Sequence, residues 1–174
     1  MQQLVICAIG QNKPDLLKTL SKTILESGGN IMDSHVTILG EQFTMVMLLT
    51  GSWDTIVKIE DSLPRLQSQL ALTFTSKRTE FPQKRTHLLP YTVEIIALYH
   101  PAIIYEVAQF FADNNVHVED LIAHRYTVAQ TETQMFSLTL GIYIPANIPI
   151  ANLRGEFMDL CDELNLDSVM IPTK

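Results

Sequence analysis

The sequence predicts an α+β chain made of two copies of one βαββαβ unit, each a four-stranded antiparallel sheet with two helices on one face. Three observations carry that reading. The order strand, helix, strand, strand, helix, strand occurs twice along the 174 residues. Landmarks of the first half recur in the second at one offset: Pro14 and Pro101, Ile31 and Val118, and Asp33 and Asp120 each stand 87 apart. Apolar residues make up 47% of the chain and charged residues 18%, enough to bury a core in each half.

QLVICAIG, residues 3–10, is rich in β-branched and apolar side chains and reads as a strand stopped by Gly10. Leu16, Leu17, Leu20, Ile24 and Leu25 then recur at helical spacing, with Pro14 at a first-turn position and Gly28-Gly29 as the stop. NIMDSHVTIL (30–39) and QFTMVMLLTG (42–51) follow as strands joined by a tight hairpin at Gly40-Glu41. A second helix is predicted over Trp53–Leu70, carrying Ile56, Ile59, Leu63, Leu66 and Leu70 on one side and a kink or break at Pro64. LTFTSKRTE (72–80) closes the first unit.

The second unit repeats the order. PYTVEIIALY (90–99) is a strand, and Pro101 opens a helix with Ile103, Ile104, Val107, Ala108, Phe110 and Phe111, ended by Asn114-Asn115. VHVEDLIAHRYTV and QMFSLTLGIYI form the next two strands, IANLRGEFMDLCDEL the second helix and DSVMI the last strand. Phe43 aligns with Phe136 at an offset of 93, so six extra residues are expected in the second hairpin, where AQTETQ lies. At the first corner LYHP reads as shorter than GQNKP. These limits give an N-terminal domain over 1–80, a linker over 81–89 and a C-terminal domain over 90–174. Apolar residues on both faces of a strand, such as Met45 and Met47 against Val46 and Leu48, predict that the halves pack together or that the chain dimerises.

Several function classes are excluded by what the chain lacks. No apolar run reaches the roughly 18–20 residues of a membrane span, and the N-terminus lacks a basic start and a small-residue cleavage site, so the reading is a soluble, cytoplasmic protein. G-x-S-x-G, the Walker loop, G-x-G-x-x-G and H-E-x-x-H are all absent, which predicts no enzyme and no cofactor. Cys7 and Cys161 lie at opposite ends of the chain and read as small buried apolar residues, not as a disulfide or a reactive thiol. His117 and Glu119 could share a strand face, but a partly exposed histidine beside solvated carboxylates explains them, and no metal is predicted. A formal net charge of −7 gives no attraction to DNA. Lys77, Arg78, Lys84 and Arg85 form the one basic cluster, which with no aromatic platform for stacking bases and no helix-turn-helix signal reads as a solubilising strand end and linker.

The two proline corners remain. At each, a strand feeds a helix N-terminus whose unpaired N–H groups and positive dipole end can hold a carboxylate. With Asn30 placed beside the helix start, both charged ends of an amino acid could be held. Any strand-to-helix turn has these groups, with Asn12 or Asp15 serving as a cap, so connector and binding site stay open on spacing alone.

The turn Gly10-Gln11-Asn12-Lys13-Pro14-Asp15-Leu16-Leu17, followed by Gly28-Gly29-Asn30-Ile31, resembles the ACT domain, whose corresponding turn reads G-x-D-R-P-G-[IL]. Two such ferredoxin-like units cover the whole chain, and with the run NNVHVEDL they resemble the glycine cleavage system transcriptional repressor group. The resemblance implies regulation through contact with a LysR-type activator, relieved by glycine; a stand-alone amino-acid sensor acting on an enzyme is the other reading. It also implies ligand binding between two domains, at Asn12, Lys13, Asp15, Leu16 and Asn30 in the first copy and His100, Ala102, Ile103 and His117 in the second. Asp15 and Ala102 stand where the family pattern has Gly, and an Asp there either repels a ligand carboxylate or pairs with its amine.

Overall fold

The structure, a computed structural model, describes residues 1–81 and 87–173; Lys84 and Arg85 of the basic cluster lie outside these. The chain divides into two compact units, Met1–Gln83 and Lys84–Lys174. The first contains β1 (Gln2–Gln11), α1 (Leu16–Glu26), β2 (Asn30–Leu39), β3 (Gln42–Gly51), α2 (Trp53–Leu70) and β4 (Leu72–Thr79). The second contains β5 (Leu88–Leu98), α3 (Ile103–Asp113), β6 (His117–Val128), β7 (Thr133–Pro145), α4 (Ile150–Glu163) and β8 (Leu166–Pro172). Each unit has one antiparallel sheet, ordered β2-β3-β1-β4 and β6-β7-β5-β8.

Strand alternation decides which face meets the helices. Leu4, Ile6 and Ala8 of β1 point inward with Phe43, Met45, Met47 and Leu49 of β3, and they pack against Leu16, Leu20 and Ile24 of α1 and the apolar side of α2. Cys7 therefore falls on the opposite, open face and is exposed, contrary to the buried position expected, whereas Cys161 is buried in α4. Leu17 and Leu25 are exposed as well, because each sits one residue, about 100°, round the helix from the Leu16–Leu20–Ile24 stripe. In the second unit Val93, Ile95, Leu138 and Leu140 meet Val107, Phe111 and Phe157, while Ile104 is exposed. Phe157 lies 5.4 Å from Phe110 and 5.2 Å from Phe111, ring centre to ring centre.

α2 runs through Pro64 unbroken, with Leu63 and Leu66 both buried, so packing on either side holds the helix where proline removes one backbone donor. Ser52 caps its start, its hydroxyl accepting from the Thr55 N–H at 3.1 Å. At the first hairpin Gly40 takes φ +63°, the left-handed value that a glycine supplies at the first turn position.

The repeat extends to individual hydrogen bonds. Leu16 N–H to Lys13 C=O recurs as Ile103 to His100, Gly28 to Leu25 as Asn115 to Ala112, and Gly29 to Ile24 as Val116 to Phe111. Both second strands carry a β-bulge at the same place, between Ile31 and Asp33 and between Val118 and Asp120. The corners are of equal length, since Asn12 N–H to Glu41 C=O at 3.4 Å matches Tyr99 N–H to Gln134 C=O at 2.9 Å. The six extra residues do not all form a loop: the turn grows from Gly40-Glu41 to residues 129–132, and the remainder lengthens β6 and β7.

Candidate functional site

Each corner is set by its sheet. β1 ends at Gln11, the chain turns through Asn12 to Asp15, and α1 starts with Leu16 driven into the core. Asn12, Lys13 and Asp15 are exposed around it. Asp15 is at the N-cap position with φ −90° and ψ 0°, and its side chain makes no capping bond. Its carboxylate is left available while the first-turn N–H groups lack a side-chain cap, so the corner offers both an anion and the positive end of a helix. No acidic residue stands in that first turn.

The second corner differs in detail. Ile103 is buried like Leu16, and Ala102 takes the N-cap position. The His100 ring Nδ1 accepts the Ala102 N–H at 3.3 Å, so one donor of this helix start is already used. His100, Ala102 and Ile103 line a cavity of about 190 Å³ together with Glu106, Glu163 and Leu164. Local sequence could not have nominated Glu163 or Leu164, because they come from the far end of α4. The Arg125 guanidinium lies 4.2 Å from the centre of the Tyr99 ring and donates to Gln134, bracing the rim of this corner in place of the Ile38 and Asn12 of the first unit.

Asn30 and His117 are not beside these corners. Asn30 pairs with Thr50, which pairs with Gln3 at the start of β1, whereas Asn12 follows the end of β1; the eight residues from Gln3 to Gln11, at about 3.3 Å each, put Asn30 roughly 26 Å from the corner. His117 pairs with Tyr143 and so with Pro90, again eight residues from Leu98. A single unit thus cannot hold one amino acid with both, and the expected closeness of Asn30 to the helix start is corrected: α1 carries the chain to the opposite end of the sheet before β2 begins. His117 instead lines a shallow cavity of about 210 Å³ with Leu88, Val118 and the bulged Glu119. Among the described residues no group of three or more His, Cys, Asp or Glu is arranged to hold a metal ion, and no helix is long and apolar enough to cross a membrane.

The wider comparison fits this architecture. Residues 2–77 match the family model described as an ACT domain. The chain is 30% identical over 162 residues to the glycine cleavage system transcriptional repressor of Escherichia coli (strain K12), covering 93% of this chain and 85% of that protein. It belongs to the glycine cleavage system transcriptional repressor family. A crystal structure provisionally assigned to such a repressor aligns with TM-score 0.74 and 26% identity over 99% of this chain and 98% of that one. A protein of unknown function from Galdieria sulphuraria shares the fold, with TM-score 0.79 at 14% identity over 99% of both chains. As a member of a repressor family built from tandem ACT domains, the chain is a regulatory protein and not an enzyme.

Proposed function

We propose that this chain represses transcription of glycine cleavage genes by contacting a LysR-type activator, and that glycine bound at the first corner relieves the contact. The observation that carries the reading is the likeness over 93% of the chain to a repressor of that system. The charge agrees with it: a net charge of −7 opposes direct binding to DNA. Recognition of DNA then falls to the partner.

Glycine has a carboxylate for the uncapped start of α1 and an ammonium for the Asp15 side chain. Asn12 and Lys13 frame that position, and Leu16 anchors the turn to the core. Asn30, some 26 Å away within the unit, contributes only from a second copy of the chain, which makes glycine binding and dimerisation two sides of one equilibrium. The second corner, with one donor occupied by His100 and with Glu106 and Glu163 on its wall, is the weaker site for a carboxylate.

Calorimetric titration with glycine tests the site. Binding by the wild type that Asp15→Asn weakens about tenfold is the expected result. No binding by the wild type, together with binding gained in Asp15→Gly, would show the corner to be a connector.

A further inference from the structure

The formal charge is divided unevenly between the units. Residues 1–83 hold seven Lys and Arg against eight Asp and Glu, a balance of −1, whereas residues 84–174 hold five against eleven, a balance of −6. Of those five cations only Arg125 and Arg154 lie among the described residues. Almost all of the net negative charge is therefore on the second unit.

On that unit, the sheet face turned away from α3 and α4 combines the charge with apolar surface. Strand register sets four rows across it: Tyr126–Met135–Leu98, His124–Ser137–Ile96–Asp167, Ile122–Thr139–Glu94–Val169 and Asp120–Gly141–Thr92–Ile171. Leu98, Ile96, Ile122, Val169 and Ile171 are 65, 49, 50, 51 and 47% exposed. Asp167, Glu94 and Asp120 cross these apolar columns as a diagonal, each one row from the next, about 20 Å in all from strand spacing and rise. These rows contain no Lys or Arg. The matching face of the first unit carries Thr37, Thr44, Thr73, Thr75 and Lys77 around its apolar residues and has no such line.

Asp120 is built into this face. An added side-chain carbon at Gly141 would lie 2.0 Å from its Oδ1, so the glycine leaves the space that the carboxylate occupies. Beside it opens a cavity of about 280 Å³ lined in part by Thr92, Thr139 and Thr173. The first unit has Leu48 where Gly141 stands, and its Asp33 accepts instead from the Ser34 N–H at 2.7 Å.

We infer that the open sheet face of the second unit docks a cationic amphipathic helix of a partner protein, whose apolar side covers Ile96, Leu98, Ile122 and Val169 and whose Lys or Arg side chains meet Asp167, Glu94 and Asp120. This rests on the reading that the chain acts through a protein partner, and it names the surface and the partner's chemistry. A sheet with apolar residues on both faces is completed by a second layer of helix. Charge of one sign along that face selects an occupant of the other sign and disfavours a second copy of the same acidic face.

The probe is a synthetic Leu/Lys amphipathic helix about 18 residues long, long enough to span the diagonal, titrated into the full chain with methyl NMR and calorimetry. The expected result is shifts at Ile96, Ile122 and Ile171, with affinity about tenfold lower in Glu94→Gln/Asp120→Asn/Asp167→Asn and within about threefold of wild type in Glu156→Gln/Asp159→Asn/Asp162→Asn, which removes equal charge from α4. Gly141→Ala, which displaces the Asp120 carboxylate with no change of charge, is expected to weaken binding by several-fold. Equal loss in the two triple variants, or shifts confined to the helices, would overturn the assignment. So would a wild-type dimer that the sheet triple abolishes, because the occupant would then be a second copy. The LysR-type activator separates this inference from the reading beneath it. If the activator binds wild type and the sheet triple alike, the surface is wrong and the partner reading stands; if the peptide maps to the face while the activator binds nothing, the reverse holds.

Discussion

Phe157→Ala is expected to destabilise the second unit severely. The Phe157 ring is fully buried in α4 and touches both Phe110 and Phe111, so its removal opens a cavity bounded by rigid aromatic side chains that cannot collapse into it. Such truncations cost about 3–5 kcal/mol. A unit of this size holds roughly 5–10 kcal/mol in all, and each kcal/mol moves the melting temperature by about 4–8 °C, so a shift on the order of 15–30 °C is predicted. Phe157→Leu, which keeps most of the volume, is expected to lose no more than about half as much. The assay uses a feature of the composition: the only tryptophan, Trp53, opens α2 of the first unit. Its fluorescence follows that unit, while far-UV circular dichroism follows both. The two buried clusters share no member, so the dichroism transition is expected to split in Phe157→Ala with the Trp53 transition in place. A loss under about 1 kcal/mol, or a Trp53 transition that moves by the same amount, would refute the reasoning.

Three further outcomes follow from particular residues. Native protein exposed to a thiol reagent should label at Cys7 and not at Cys161, whose thiol burial both shields and pushes up in pKa; two labels before unfolding would contradict the placement of α4. The Arg78 guanidinium donates to both oxygens of Glu60, at 3.0 and 2.6 Å, and this hydrogen bonding holds the Glu60 carboxyl below its usual range. A lowered folded-state pKa stabilises at pH above the unfolded value and stops doing so as pH falls through the folded value, so Glu60→Gln should lower the melting temperature slightly at neutral pH and not at all at strongly acid pH; a deficit that persists in acid would show that packing, not charge, is at work. At the end of α1 Gly28 has φ +81°, and at the end of α3 Asn115 has φ +54°. Gly28→Ala should cost about 1 kcal/mol and Asn115→Gly should cost nothing or stabilise in chemical denaturation, with equal losses contradicting the repeat.

Much of the fold was legible because period and punctuation coincide. β2, β3 and α2 begin and end where NIMDSHVTIL, QFTMVMLLTG and the Trp53–Leu70 stripe predict, each bounded by glycine or serine with a specific backbone task. What sequence could not settle was which apolar residues face the core. Leu17, Leu25 and Cys7 have core chemistry but sit one residue out of phase with the buried set, which the buried stripe of α1 shows for the two leucines and the sheet register shows for Cys7. The corners were recognisable from Pro14 and Pro101. The separation of Asn30 from Asn12 was not, because it follows from the length of β1 and the return path of α1, not from any spacing between the two. Glu163 and Leu164 at the second corner, and the diagonal of Asp120, Glu94 and Asp167, come together across strands and helices far apart in sequence, where no local pattern reports them.

The central claim is that this member of the repressor family acts through a protein partner under the control of glycine. Sedimentation of the full chain mixed with the LysR-type activator, with and without glycine at saturating concentration, tests it most directly. A complex that forms without glycine and dissociates with it is the predicted result; no complex in either condition, or one indifferent to glycine, would contradict the account.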